Sequence, residues 1–137
     1  MRKSSGILIA AALLLASPAL AACASKPAGP TEVHVRLTEF TVEVDKTSLP
    51  AGPVRFLIDN AGKEVHEVVL EPAGVNDQPF ELNGKASEAE DIQPGQSAVL
   101  EWTIDTPGNY QLACHINENN EDHYANGMVT TFTVTAP

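Results

Sequence analysis

QPGQSAVLEWTIDTPGNYQLAC occupies residues 93–114. It reads as two strands set between turns. Pro94-Gly95 and Thr106-Pro107-Gly108 punctuate it: proline presets its own φ, and glycine takes conformations closed to other residues. Residues 97–104 and 109–114 are short runs rich in apolar and β-forming residues. Successive side chains of a strand point to opposite faces. Tyr110, Leu112 and Cys114 therefore share one face, and Gln111, Ala113 and His115 share the other. The more apolar set belongs to the core, which turns Cys114 inward and His115 outward.

The same period of two recurs outward from this stretch. Val33, Val35 and Leu37 alternate with polar neighbours, as do Phe40, Val42 and Val44. Val54, Phe56 and Ile58 follow the turn LPAGP, residues 49–53. EVHEVVL (64–70) and MVTTFTVT (128–135) complete the set, and Asn60-Ala61-Gly62 marks a further turn. About seven to eight short strands, punctuated by Gly and Pro, predict an all-β chain folded as a Greek-key antiparallel β-sandwich. Residues 71–96 are less regular, and ASEAEDI (86–92) has room for a turn or two of helix. No internal repeat and no second domain is visible.

The N-terminus speaks to compartment. Arg2 and Lys3 form a basic start, Ile7–Leu15 is apolar, and small residues run to Ala22. The apolar stretch is short for a membrane span and broken by Pro18. Residues 1–22 are expected to be a cleaved export signal. Leu20-Ala21-Ala22-Cys23 resembles a bacterial lipobox, which implies cleavage before Cys23 and lipidation of its thiol. The alternative is a plain secretory signal. Residues 23–30 then read as a lipidated cysteine and a flexible Ala/Pro/Gly-rich tether. Residues 31–137 are expected to form one domain. This points to a bacterial cell envelope, a lipid anchor in a membrane, and a domain facing the periplasm or exterior. Ala24 is not the Asp that retains many Gram-negative lipoproteins at the inner membrane.

Removing residues 1–22 takes Arg2 and Lys3 and no acid, so the net charge moves from −10 to −12. Such acidity argues against nucleic acid and anionic lipid as partners. It suits a protein with a basic docking surface, or cation capture. With Cys23 lipidated, Cys114 has no disulfide partner, and an unpaired thiol outside the cytoplasm must be buried, reactive or metal-bound.

CHINENNEDHYANGM, residues 114–128, carries Cys114, His115, His123 and Met128. His66 ends an inward row with Val68 and Leu70, and Cys114 and Met128 end two others. Thiolate, imidazole and thioether make a soft, mixed donor set. Two histidines and a cysteine with a weak axial methionine is the pattern of an electron-transfer copper site. Structural zinc prefers more thiolates and gains nothing from methionine.

LTEFTVEVDKTSLPAGPVRFLIDNAGKEVHEVVL, QPGQSAVLEWTIDTPGNYQLAC and DHYANGMVTTFTV together resemble the cupredoxin family, the small blue copper proteins such as plastocyanin and azurin. The resemblance covers nearly all of residues 31–135. It implies one type 1 copper ion held by His66, Cys114, His123 and Met128. Two features depart from the family pattern. His123 lies nine residues beyond Cys114, across NENNED, which places Glu118, Glu121 and Asp122 beside the metal as further candidate ligands. Glu67 stands where some relatives carry Asn. His115 is a competing ligand only if its strand ends early. His34 is expected at the surface, and Trp102 and Phe56 in the core.

The expectation is a membrane-tethered type 1 copper protein, transferring one electron between redox partners outside the cytoplasm. The alternatives are an exported copper-binding and delivery lipoprotein, or a metal-free binding module. With no nucleophile–base pair and no substrate pocket in the pattern, it is not expected to be an enzyme.

Overall fold

The computed structural model describes residues 29–137. The expected signal, Cys23 and nearly all of the tether lie outside the described residues. Among the described residues thirteen strands run in order: β1 (Thr31–Thr38), β2 (Thr41–Val44), β3 (Ser48–Pro50), β4 (Gly52–Asn60), β5 (His66–Pro72), β6 (Glu81–Leu82), β7 (Lys85–Ala86), β8 (Glu88–Ile92), β9 (Ser97–Ile104), β10 (Gly108–Ala113), β11 (Asn117–Glu118), β12 (Glu121–Asp122) and β13 (Val129–Thr135). Two sheets form the sandwich, ordered β2-β1-β4-β9 and β3-β13-β10-β5-β8. β6–β7 and β11–β12 are separate small hairpins.

Most pairings are antiparallel, but β1–β4 and β13–β3 are parallel. The reason is a crossing. After β2 the chain leaves the first sheet and lays β3 against β13 in the second. It returns as β4, running the same way as β1.

The alternation read from the sequence builds the core. Val33, Val35, Leu37, Val54, Phe56, Ile58 and Leu100 are buried from one sheet; Val68, Leu70, Leu112, Phe132 and Val134 are buried from the other. Phe56 and Phe132 meet across the layers with ring centroids 5.8 Å apart. Burying each such side chain contributes about 1.5–3 kcal/mol.

The helical expectation for residues 86–92 is corrected. Glu88–Ile92 is a strand that pairs with β5, with a register shift between His66 and Val68. Ser87 is buried; its Oγ donates to the Leu70 carbonyl at 2.5 Å and accepts from the Phe80 N–H at 2.8 Å. A helix here would leave the edge of β5 unpaired inside the protein, which costs more than local propensity returns. His34 is exposed, as expected, and Trp102 is only half-buried.

A second departure concerns the outer face of β5 and β10. One-sided alternation would leave it wet, yet Val69, Glu71, Gln111 and Ala113 are all buried. The segment after β5 folds back over them: the Gly74 N–H donates to Gln111 Oε1 and the Gln78 N–H to Glu71 Oε2.

Asn60 ties the turn before β5 to the core. Its Nδ2 donates to the Glu64 and Ile92 carbonyls, and its Oδ1 accepts from the Gly62 N–H. Asn60→Ala strands two carbonyls and one N–H, one of them deeply buried. Unfolding in urea is expected to show a loss of about 2–3 kcal/mol; an unchanged midpoint would show that the turn is held by other contacts.

Candidate metal centre

Three elements bring donor atoms to one end of the sandwich. His66 opens β5, Cys114 follows β10, and His123 follows β12. Their donor atoms all lie within 4.8 Å of one another, and all three residues are buried. Nδ1 of His66 is 3.3 Å from Nδ1 of His123, and Cys114 Sγ is 3.4 Å from that same nitrogen. Bonds of about 2.0–2.3 Å to one ion put its donors at roughly such separations. Among the described residues Cys114 is an unpaired cysteine.

Backbone hydrogen bonds hold this arrangement. The Cys114 N–H donates to the Met128 carbonyl at 3.0 Å, and the Met128 N–H to the His123 carbonyl at 2.9 Å. The His123 N–H donates to the Ile116 carbonyl at 3.0 Å. Met128 is fully buried, in the same core as Cys114. Cysteine, second histidine and methionine are thus fixed to one another through the main chain.

The outer edges of both rings face carboxylates. His123 Nε2 lies 3.4 Å from Glu64 Oε2. His66 Nε2 lies 3.9 Å from Glu39 Oε1 and has no hydrogen-bond partner among the described residues. Glu39 is held in turn by the Lys63 and Glu64 N–H groups. Gly62 makes this approach possible: a Cβ there would sit 2.5 Å from Glu39 Oε1 and 3.0 Å from His66 Nε2. The glycine of the Asn-x-Gly turn is therefore needed for space, not for φ. The Phe40 ring meets His123 edge-on at 5.3 Å.

Burial, followed by the neighbouring His123, lowers the His66 pKa, with Glu39 opposing. Burial raises the Cys114 thiol, against the backbone N–H groups of Glu67 and Ile116. The Glu39 carboxyl is lowered chiefly by the Lys63 N–H. Two imidazoles beside a thiol are a donor set suited to a soft cation. The carboxylates lie on the side where metal-bound histidines find outer partners, here at ion-pair rather than hydrogen-bond distance.

The other candidates fall elsewhere. His115 lies on the opposite face, with Nε2 2.8 Å from Glu71 Oε1, and is nearly buried rather than open to water. Glu118 and Glu121 are exposed on the β11–β12 hairpin, and Asp122 Oδ1 accepts the Ala125 N–H. None of these acids joins the converging donors among the described residues. Glu67 Oε1 accepts the His115 N–H, and burial raises its carboxyl pKa. Sequence reading did not single out Glu39 or Glu64. Their only signal was their place in the two turns flanking the His66 approach.

A family model described as a cupredoxin-like domain matches residues 6–129. The chain belongs to the cupredoxin-like family. Solved cupredoxin folds agree. Sodium-dithionite-reduced auracyanin from the photosynthetic bacterium Roseiflexus castenholzii superimposes with TM-score 0.58 at 21% identity, covering 78% of this chain and 99% of that one. Auracyanin B gives TM-score 0.60 at 23% identity over 81% and 93%. A multicopper oxidase gives 0.52 at 19% over 77% of this chain and 42% of its own. No curated protein matches the chain.

Burial of this cupredoxin's thiol has a direct consequence. In metal-free protein carrying Cys23→Ser, a thiol reagent is expected to modify Cys114 at least about tenfold more slowly than in the urea-unfolded chain. Equal rates would show that the donor cluster is open.

Proposed function

We propose that this cupredoxin is a type 1 copper protein that carries single electrons between proteins outside the cytoplasm. One observation carries the reading: a thiol and two imidazoles, all buried, converge from three separate elements with donor atoms within 4.8 Å. Copper bound there would supply one-electron redox chemistry, exchanging Cu(II) for Cu(I). The chain's own part is to hold the donors still. Cys114 would supply the thiolate, His66 and His123 their Nδ1 atoms, and Met128, buried in the same core, a weak thioether sulfur. Metal binding would need the Cys114 thiol to give up a proton that burial holds more tightly, so copper affinity would fall with acid.

Two features favour a carrier over an enzyme. His66 and Cys114 are 0% exposed and His123 is 3% exposed, so the cluster offers no open position to a substrate. Exposed acids stand around His123. Glu64, Glu118 and Glu121 line a cavity with His123, where among the described residues Lys63 is the one lysine or arginine. An electron leaving through the His123 edge would meet a partner with a basic surface there. The N-terminal sequence supports export and a lipid anchor at Cys23, which would keep the domain at a membrane surface.

Copper delivery is the second reading. It is favoured by that same acid-lined cavity, which gives a cation a route to His123. Rapid passage of copper to an apo-acceptor would select it; rapid electron exchange with retention of copper would select the carrier.

The test is spectroscopic. The Cys23→Ser protein, given one equivalent of Cu(II), is expected to show an intense thiolate-to-copper visible band and a type 1 EPR signal. Cys114→Ser and His123→Ala are each expected to abolish the band. A spectrum of ordinary tetragonal Cu(II), with no thiolate band in the parent protein, would overturn the reading.

A further inference from the structure

The hairpin between Cys114 and His123 is exposed and short, with Asn119 and Asn120 at its turn in left-handed conformation at φ 54° and 65°. By itself it is a poor ruler for a metal site. Longer loops leave their ends less constrained, and this one adds residues between two ligands.

A second connection closes the same loop at its base. His115 and Tyr124 are the residues immediately after Cys114 and His123, and their rings stack with centroids 4.6 Å apart and planes 29° apart. The stack lies on the outer face of the second sheet, behind the donor cluster. It is fastened to the sheet through Glu71, which is 0% exposed. Glu71 Oε1 lies 2.8 Å from His115 Nε2 and accepts from Gln111 Nε2 at 2.8 Å. Its Oε2 accepts the Gln78 N–H at 2.7 Å. Tyr124 donates its hydroxyl proton to the Val75 carbonyl, which also receives Gln111 Nε2. Glu71 and Gln111 are direct cross-strand partners of β5 and β10.

The Asp77 N–H also approaches His115 Nε2, at 3.3 Å. One nitrogen cannot donate to Glu71 and accept from Asp77 together. The shorter bond, to a buried carboxylate, decides the tautomer: Nε2 carries the proton and donates.

We infer that Glu71, Gln111, His115 and Tyr124 form a positioning clamp that sets the separation of Cys114 and His123, leaving the Asn117–Asp122 hairpin free to vary. This deepens the copper reading and rests on it. The residues touch no ligand atom; they act through the peptide links to Cys114 and His123. A buried carboxylate with its acceptors filled from three sides costs little to keep and much to disturb. Two stacked rings add a contact whose geometry resists sliding.

Two kinds of variant separate clamp from hairpin. Deleting Glu118–Glu121 leaves Asn117-Asp122 as a two-residue loop between Ile116 and His123. The existing His123 N–H to Ile116 carbonyl bond then spans the turn. Asn and Asp tolerate the conformations such a loop needs. Tyr124→Ala and Glu71→Leu remove the stack and its anchor, and Tyr124→Phe keeps the stack. Tyr124→Leu, closer in volume, serves if Tyr124→Ala does not fold.

Two readouts are taken on the full chain carrying Cys23→Ser: amide hydrogen exchange of His123 and Met128 without metal, and the visible band with Cu(II). The deletion and Tyr124→Phe are expected to leave both where they are. Tyr124→Ala and Glu71→Leu are expected to speed exchange at these amides about tenfold or more and to shift the band. Change confined to the deletion, or equal change in both kinds of variant, overturns the clamp. Absence of a thiolate band in the unaltered protein overturns the copper reading alone, because the metal-free exchange still decides the clamp.

Discussion

Three backbone hydrogen bonds at one end of the second sheet govern the chemistry of this molecule. Cys114 to Met128, Met128 to His123 and His123 to Ile116 join successive corners of one loop. Each has a buried residue at one or both ends, so breaking any one leaves polar backbone groups inside the protein. The loop therefore has little freedom to choose where its donors stand. His66 arrives from β5 by an independent route, through Asn60, Gly62 and Glu39. Two independent backbone routes thus lead to one site.

The sandwich supplies the frame for both routes. β5 and β10 are neighbours in one sheet, and their inner faces carry the apolar rows that end at His66 and Cys114. Their outer faces carry Glu71 and Gln111. The same two strands are thus buried on both sides, apolar toward the core and hydrogen-bonded away from it. Such a wall is stiff, since neither face can relax without exposing apolar area or orphaning a polar group. A redox centre gains from stiffness when its two oxidation states share one geometry. The outward edges of the histidines, by contrast, face the glutamates Glu39 and Glu64, so the site is rigid within and acidic at its rim.

Much of this was legible in the sequence, because the inner face obeys a simple period. Val68 and Leu70 announce the side on which His66 lies, and Tyr110 and Leu112 do the same for Cys114. The soft donors in one loop and the Asn-x-Gly turn carried the rest. What was hidden depends on contacts between distant segments. Nothing local in EPAGVNDQPF says that it folds over Glu71 and Gln111, so His115 read as solvent-facing. Helix-compatible residues in ASEAEDI gave way to the need of β5 for an edge partner. The parallel pairs arise from a sheet-to-sheet crossing that alternation cannot encode. Glu39 and Glu64 were not singled out, because only the fold puts them behind the rings.

The central claim is that the backbone bonds of this loop fix the donors, so that metal loading leaves them where they are. Crystal structures of the Cys23→Ser protein, metal-free and after loading with one equivalent of Cu(II), test it most directly. The account predicts that His66, Cys114 and His123 keep the same rotamers, and that the three backbone bonds of the loop survive in both. A loop between residues 114 and 128 that refolds on loading, or a copper ion held by the hairpin acids away from Cys114, would contradict it.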